Sequence, residues 1–234
     1  MATNLQTGRS FRISKPHMGD YLIGLIRNPR LDIAAAVAAS SAFPPFLSPV
    51  VIDAPGPVEA VEGAIFAGDP RYTRRLFLTD GGVYDNLGLE PVWDNVETVL
   101  VGDAGAPFAY GEEPEADWLN QANRALDIAT DQARGLRKRM LVGAFQRGER
   151  AGAYWGIDTD IRDYRPAPIM ATDPARTDPL VRIRTRLAPF TEAEQGLLIN
   201  WGYALCDAAI ARRAPQLAPA PPQPAWPVPD HPLA

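Results

Sequence analysis

The chain has 234 residues, 46% of them hydrophobic and 22% charged, with a formal net charge of −5. That length and balance suit one globular domain able to bury a core, and they exclude a chain too polar to fold. The acidic balance argues against nucleic acid as a partner, because phosphate contact calls for a basic face.

Taken in order, Ala2 to Leu5 reads as extended, Thr7-Gly8-Arg9 as a turn, and Ser10 to Ser14 as a strand of period two, so the chain enters a sheet at once. Leu31 to Ala42 is an alanine-rich helix signal with Asp32 placed to complement the helix dipole, and Phe43-Pro44-Pro45-Phe46 ends it. Extended pieces at Val50 to Ile52 and Ala60 to Phe66 precede the apolar strand Leu76-Phe77-Leu78-Thr79, which runs into Asp80-Gly81-Gly82. Leu89 to Asn95 predicts a short helix. Glu97 to Val101 predicts a buried strand of the kind parallel sheets cover on both faces, ending at Gly102-Asp103-Ala104-Gly105.

A long helix is predicted from Trp118 to about Phe145 and another from Thr191, where Thr191 and Glu194 have the spacing of a capping box. Leu197, Leu198, Trp201 and Leu205 then recur at helical spacing as core. The alternation of strands and helices predicts an α/β layered fold over residues 1–214. From Pro215 onward the composition turns to proline and alanine, so 215–234 predicts an extended, disordered tail. Met1 to Gln6 has neither the basic start nor the apolar run of a signal peptide, and no stretch reaches the roughly 18 apolar residues of a membrane span. Cys206 is the one cysteine and reads as a small buried hydrophobe. A cytoplasmic chain is expected, with any membrane contact peripheral. The basic run Arg134 to Arg139 reads either as a solvated helix face or as a patch for anionic lipid.

An acid on a glycine turn at a strand end is where α/β sheets place functional side chains, but an aspartate there also caps its own turn, so Asp80 has two readings. No serine lies in a G-x-S-x-G elbow; Gly8-Arg9-Ser10-Phe11-Arg12 lacks the second glycine, and Ser40 and Ser41 read as packing or capping groups. The only histidines are His17, in a predicted loop, and His231, in the predicted tail, so a Ser-His-Asp relay has few bases to use. Without H-E-x-x-H or C-x-x-C, only carboxylates such as Asp80, Asp85 and Asp103 remain for a hard cation, and no cofactor is expected.

Two segments are similar to those of the patatin-like phospholipase family. Ala38-Ala39-Ser40-Ser41-Ala42-Phe43-Pro44-Pro45-Phe46-Leu47-Ser48-Pro49 resembles the family's Ala-Ser-x-Ala-x-Pro stretch followed by an aromatic and a proline. Thr79-Asp80-Gly81-Gly82-Val83-Tyr84-Asp85-Asn86 resembles its Asp-Gly-Gly motif with an asparagine shortly after. The resemblance implies a layered sheet flanked by helices, incomplete at the N-terminus, and a lipid acyl hydrolase that cleaves phospholipid or other acyl-ester lipid with a Ser-Asp dyad. It implies Asp80 as the acid that accepts the serine's proton, Gly81 and Gly82 shaping its turn, and Asn86 holding the loop. The family's glycine-rich oxyanion loop and serine elbow precede such segments, and nothing matching either precedes Ala38. The expectation is therefore the C-terminal portion of such an enzyme, inactive alone, with its N-terminal portion in a longer or split gene product. Two alternatives stand: a lipid-binding module without a nucleophile, and an unrelated hydrolase with Asp80 and Asp103 around a divalent ion.

Overall fold

Period-two alternation over the first 27 residues produces a four-stranded meander, β1 (Ala2–Asn4), β2 (Arg9–Ile13), β3 (His17–Asp20) and β4 (Gly24–Arg27). The structure, a computed structural model, describes residues 1–185, 188–217 and 225–234. It divides the chain into two units, one of Met1–Asp94 with Glu112–Arg137 and one of Asn95–Gly111 with Lys138–Ala234. Buried side chains gather in two separate cores, one in each unit.

After the meander, the first unit continues through α1 (Ile33–Ser40), β5 (Val50–Asp53), β6 (Val58–Glu59), α2 (Pro70–Thr73), β7 (Arg75–Asp80) and α3 (Gly82–Asp85). Its strands form one sheet in the order β5-β7-β1-β2-β3-β4-β6, with every pair antiparallel. The register puts Ala2 opposite Phe11 and Met18 opposite Ile26, and pairs Ile52 with Leu76, so these side chains share one face with Leu78. All are buried, with Ala39 of α1 packed among them, and burying a side chain the size of Leu or Ile contributes about 1.5–3 kcal/mol.

Two expected elements are absent here. Residues 60–66 form turns closed by Ala64 N–H to Val61 C=O and Ile65 N–H to Gly63 C=O, because Gly63 takes a positive φ of 83° that interrupts an extended run. Residues 89–95 also form turns, closed by the Val92 and Trp93 amides donating to Leu89 C=O at 3.0 and 2.9 Å, and the Glu90 amide donates to the Asp85 carboxylate.

The second unit contains β8 (Thr98–Asp103), the end of α4 (Trp118–Gln146), β9 (Ala151–Gly156), α5 (Pro174–Val181) and α6 (Glu192–Arg213). β8 and β9 are parallel, as expected for the 97–101 strand, with Thr98 opposite Ala151 and Asp103 opposite Gly156. Val99 and Val101 are buried while Leu100 is 45% exposed, so β8 is covered on one face and the expectation of cover on both is corrected. α6 opens with the capping box: Thr191 Oγ1 accepts from the Glu194 amide at 3.2 Å and Glu194 Oε2 accepts from the Thr191 amide at 2.7 Å. Trp201 and Leu205 are buried in the second core, and Leu197 and Leu198 pack against it.

The expected disordered tail is also revised. Residues 218–224 lie outside the described residues, but 225–234 dock on α6. Asn200, fully buried in α6, donates to Val228 C=O at 2.9 Å and His231 C=O at 2.7 Å and accepts from the Val228 amide at 3.0 Å. Leu233 is fully buried, Trp226 packs against the same core, and the His231 ring lies over Gly196, where a side chain would collide with it. Low average hydrophobicity hides a segment anchored by a few side chains. Asn200→Ala is expected to lower stability by about 2–3 kcal/mol, at about 1 kcal/mol per hydrogen bond removed. It should also expose the Val228 amide to hydrogen exchange, and unchanged protection there would refute the anchoring role.

Among the described residues, no helix is long and apolar enough to cross a membrane.

Candidate functional site around Asp80

β7 delivers Asp80 to the sheet end and pairs it with Ala2 of β1. The turn that follows is tied on two sides. The Asp80 amide donates to Ala42 C=O at 3.0 Å and the Gly81 amide to Ser40 C=O at 3.2 Å, while Thr79 Oγ1 donates to Ala42 C=O at 2.8 Å. From β1, Thr3 Oγ1 donates to Asp80 C=O at 2.8 Å. The segment after α1 and the Asp-Gly-Gly turn, 37 residues apart at Ala42 and Thr79, are thus one local structure.

Gly81 is needed for close approach: a Cβ there would stand 2.5 Å from the Met1 carbonyl oxygen, a backbone atom that cannot swing away. At Gly82 a Cβ would meet Asn86 Oδ1 at 2.7 Å and Asp80 Oδ1 at 2.9 Å, which places all four expected residues, Asp80, Gly81, Gly82 and Asn86, around one turn. Asp80 Oδ1 accepts from the Gly82 amide at 2.6 Å, the self-capping geometry, while Oδ2 has no hydrogen bond among the described residues. The carboxyl is half-buried. Burial pushes its pKa above the ordinary carboxylate value, and the Gly82 amide opposes that rise.

Asn86 is exposed and its side chain makes no hydrogen bond among the described residues; the loop is held by its neighbour Asp85. The Asp85 carboxylate is wholly enclosed, accepting from the Glu90 amide at 2.7 Å and the Leu87 amide at 3.2 Å, with Arg137 Nε 3.3 Å away. Arg137 also reaches Tyr84 C=O at 3.1 Å and Glu90 Oε2 at 3.3 Å. Sequence reasoning missed this pairing because Arg137 lies within a basic run that reads equally well as a solvated surface. One signal was present: Asp85 is a second acid three residues after the glycine pair, weighed in the sequence only as a candidate for a hard cation.

Of the other candidates, Ser40 lies beside the Asp80 turn, whereas His17 and Asp103 are carried by other strands. Ser40 Oγ donates to Met1 C=O at 2.7 Å and acts as a structural tie. His17 is in β3, which corrects the expected loop, and the register puts it on the sheet face opposite Asp80. Asp103 belongs to the second unit, where Oδ1 accepts from the Gly105 amide at 3.0 Å and Oδ2 from Tyr154 Oη at 2.9 Å. Among the described residues no group of three or more His, Cys, Asp or Glu is arranged to hold a metal ion.

No family model matches the chain, and no curated protein matches it.

Proposed function

We propose that this chain carries the acid half of a lipid acyl hydrolase, with Asp80 as the base of a Ser-Asp dyad. The observation that carries the reading is the pair of backbone hydrogen bonds from Asp80 and Gly81 to Ala42 and Ser40, which joins the two segments resembling patatin-like phospholipases into one site. The free Oδ2 is available to take the proton of a serine hydroxyl while the serine oxygen attacks an acyl carbonyl carbon. The tetrahedral intermediate collapses to an acyl-serine as the alcohol departs with that proton, and water then releases the fatty acid by the same two steps. A raised pKa makes Asp80 a stronger base than a solvated carboxylate.

Lipid as the substrate class is supported by apolar side chains exposed on α1 and the segment that follows it, whose residues Ser40 and Ala42 hold the turn: Ile33 at 83%, Val37 at 56% and Phe46 at 85%. Phospholipid or another acyl-ester lipid would meet this surface from a membrane on which the cytoplasmic protein rests peripherally. A patatin-like layering of the sheet belongs to the same proposal.

The serine lies outside these 234 residues in this reading, so the test is the longer polypeptide read in frame upstream. It is expected to contain Gly-x-Ser-x-Gly and to release fatty acid from phosphatidylcholine vesicles. Vesicle binding without hydrolysis would replace the proposal with the alternative, a lipid-binding module that lacks a nucleophile.

A further inference from the structure

The sheet face of the first unit opposite its core carries a pocket of about 290 Å³, lined in part by Ser10 and Arg12 of β2, His17 and Gly19 of β3, and Tyr84 and Glu90. Its floor follows from the register. Ser10 and Arg12, two apart on one strand, point to the same side, and the neighbour of Arg12 on β3 is Gly19, which has no side chain to fill the space. Gly19 is dictated by the backbone: φ is 149°, and a Cβ would stand 2.1 Å from the Gly24 carbonyl oxygen.

The acceptors around the pocket are already engaged. Asp20, which also lines it, accepts from Asn4 Nδ2 at 2.8 Å, Thr7 Oγ1 at 3.0 Å and the amides of Leu22 and Ile23 at 2.9 and 3.1 Å. Glu90 accepts from Tyr84 Oη at 3.3 Å and faces Arg137 at 3.3 Å. Three of the donors are not engaged. Ser10 Oγ is buried without a hydrogen-bond partner, a condition native proteins rarely leave unexplained. The Arg12 guanidinium and the His17 imidazole likewise have no side-chain partner among the described residues.

A ligand that completes this set must bring acceptors and negative charge. We propose that the pocket binds the phosphate group of a small phosphomonoester or of a lipid headgroup, with Ser10, Arg12 and His17 donating to its oxygens. A tetrahedral phosphate offers acceptors in more directions than a planar carboxylate, and the guanidinium fork matches two of its oxygens. The carbon portion rests on Leu25, Val61 and the Tyr21 ring, which Arg9 holds from 5.6 Å. Because the site lies on the sheet face opposite Asp80, it stands independently of the dyad.

The test is titration of the ¹⁵N-labelled full chain with sn-glycerol 3-phosphate and, separately, with phosphatidylcholine vesicles with and without phosphatidic acid. Saturable shifts at the Ser10, Arg12 and Gly19 amides with the soluble ester assign a free phosphomonoester, and saturation only with phosphatidic acid vesicles assigns a headgroup. Arg12→Gln is expected to weaken binding about tenfold or more. Ser10→Ala is expected to weaken it severalfold while leaving the Tm of the unliganded chain unchanged or higher, because a buried hydroxyl without a partner is removed. No saturable shift with either probe, equal binding by Arg12→Gln, or a lower Tm for Ser10→Ala would each overturn the proposal.

Discussion

Asp80→Asn, placed in the polypeptide that carries the serine, lowers kcat/KM for acyl esters by about 10²–10⁴-fold, the range general-base removal produces. The effect falls on kcat, because the amide keeps the shape and the hydrogen bond from Gly82 but cannot accept the proton. Burial raises the Asp80 pKa, so the acidic limb of the pH–rate profile lies above the ordinary aspartate value of about 3.9. Stability runs the other way. A carboxyl whose pKa is higher folded than unfolded contributes stability that is full below the unfolded value and is lost as pH rises through the folded one. At neutral pH the asparagine variant therefore melts at the same temperature as the parent or higher. Undiminished hydrolysis by this variant would remove Asp80 from the mechanism, and an unshifted acidic limb would remove the buried-base argument.

Asp85→Ala is expected to lower unfolding free energy by about 3–5 kcal/mol, the range for removing one partner of a buried ion pair. The substitution strands the Leu87 and Glu90 amides and leaves the Arg137 guanidinium, whose side chain is 22% exposed, beside an empty space. Asp85→Asn retains an acceptor oxygen and should lose less. Urea denaturation of the two variants at constant m-value measures the difference. A loss below about 1 kcal/mol for the alanine would mean that the cluster does not hold the loop. Because this loop begins directly after α3, four residues past the glycine pair, the alanine variant should also blunt hydrolysis in the longer polypeptide.

The elements that were legible in the sequence are those whose cause is local. The alternation in Ser10 to Ser14, the capping box at Thr191, the alanine run ended by Phe43-Pro44-Pro45 and the apolar strand before Asp80 each express a short-range rule, and each appears close to its expected bounds. Long-range causes were not legible. Residues 225–234 became ordered because Asn200 and the second core receive them. The division into two units follows from which apolar side chains meet, and a one-dimensional hydrophobic pattern does not contain that information. At the site, the position of Asp80 on its turn was readable from the glycines beside it. Its connection to Ala42 and the enclosure of Asp85 by Arg137 depend on residues distant in sequence.

The sheet order has a kinetic consequence. β1 to β4 are joined by short turns and can zip together within microseconds, whereas β7 must find β1 across a separation of 77 residues at the Thr3 to Asp80 contact. Closing a loop of that size before any contact rewards it is slow, so the meander should be protected from hydrogen exchange early in refolding and β7 late. The Asp80 turn would then be among the last parts of the first unit to form. A nascent chain would hold a finished half-sheet with an open edge along β1 until β7 arrives, and that interval is when it is most exposed to pairing with another copy.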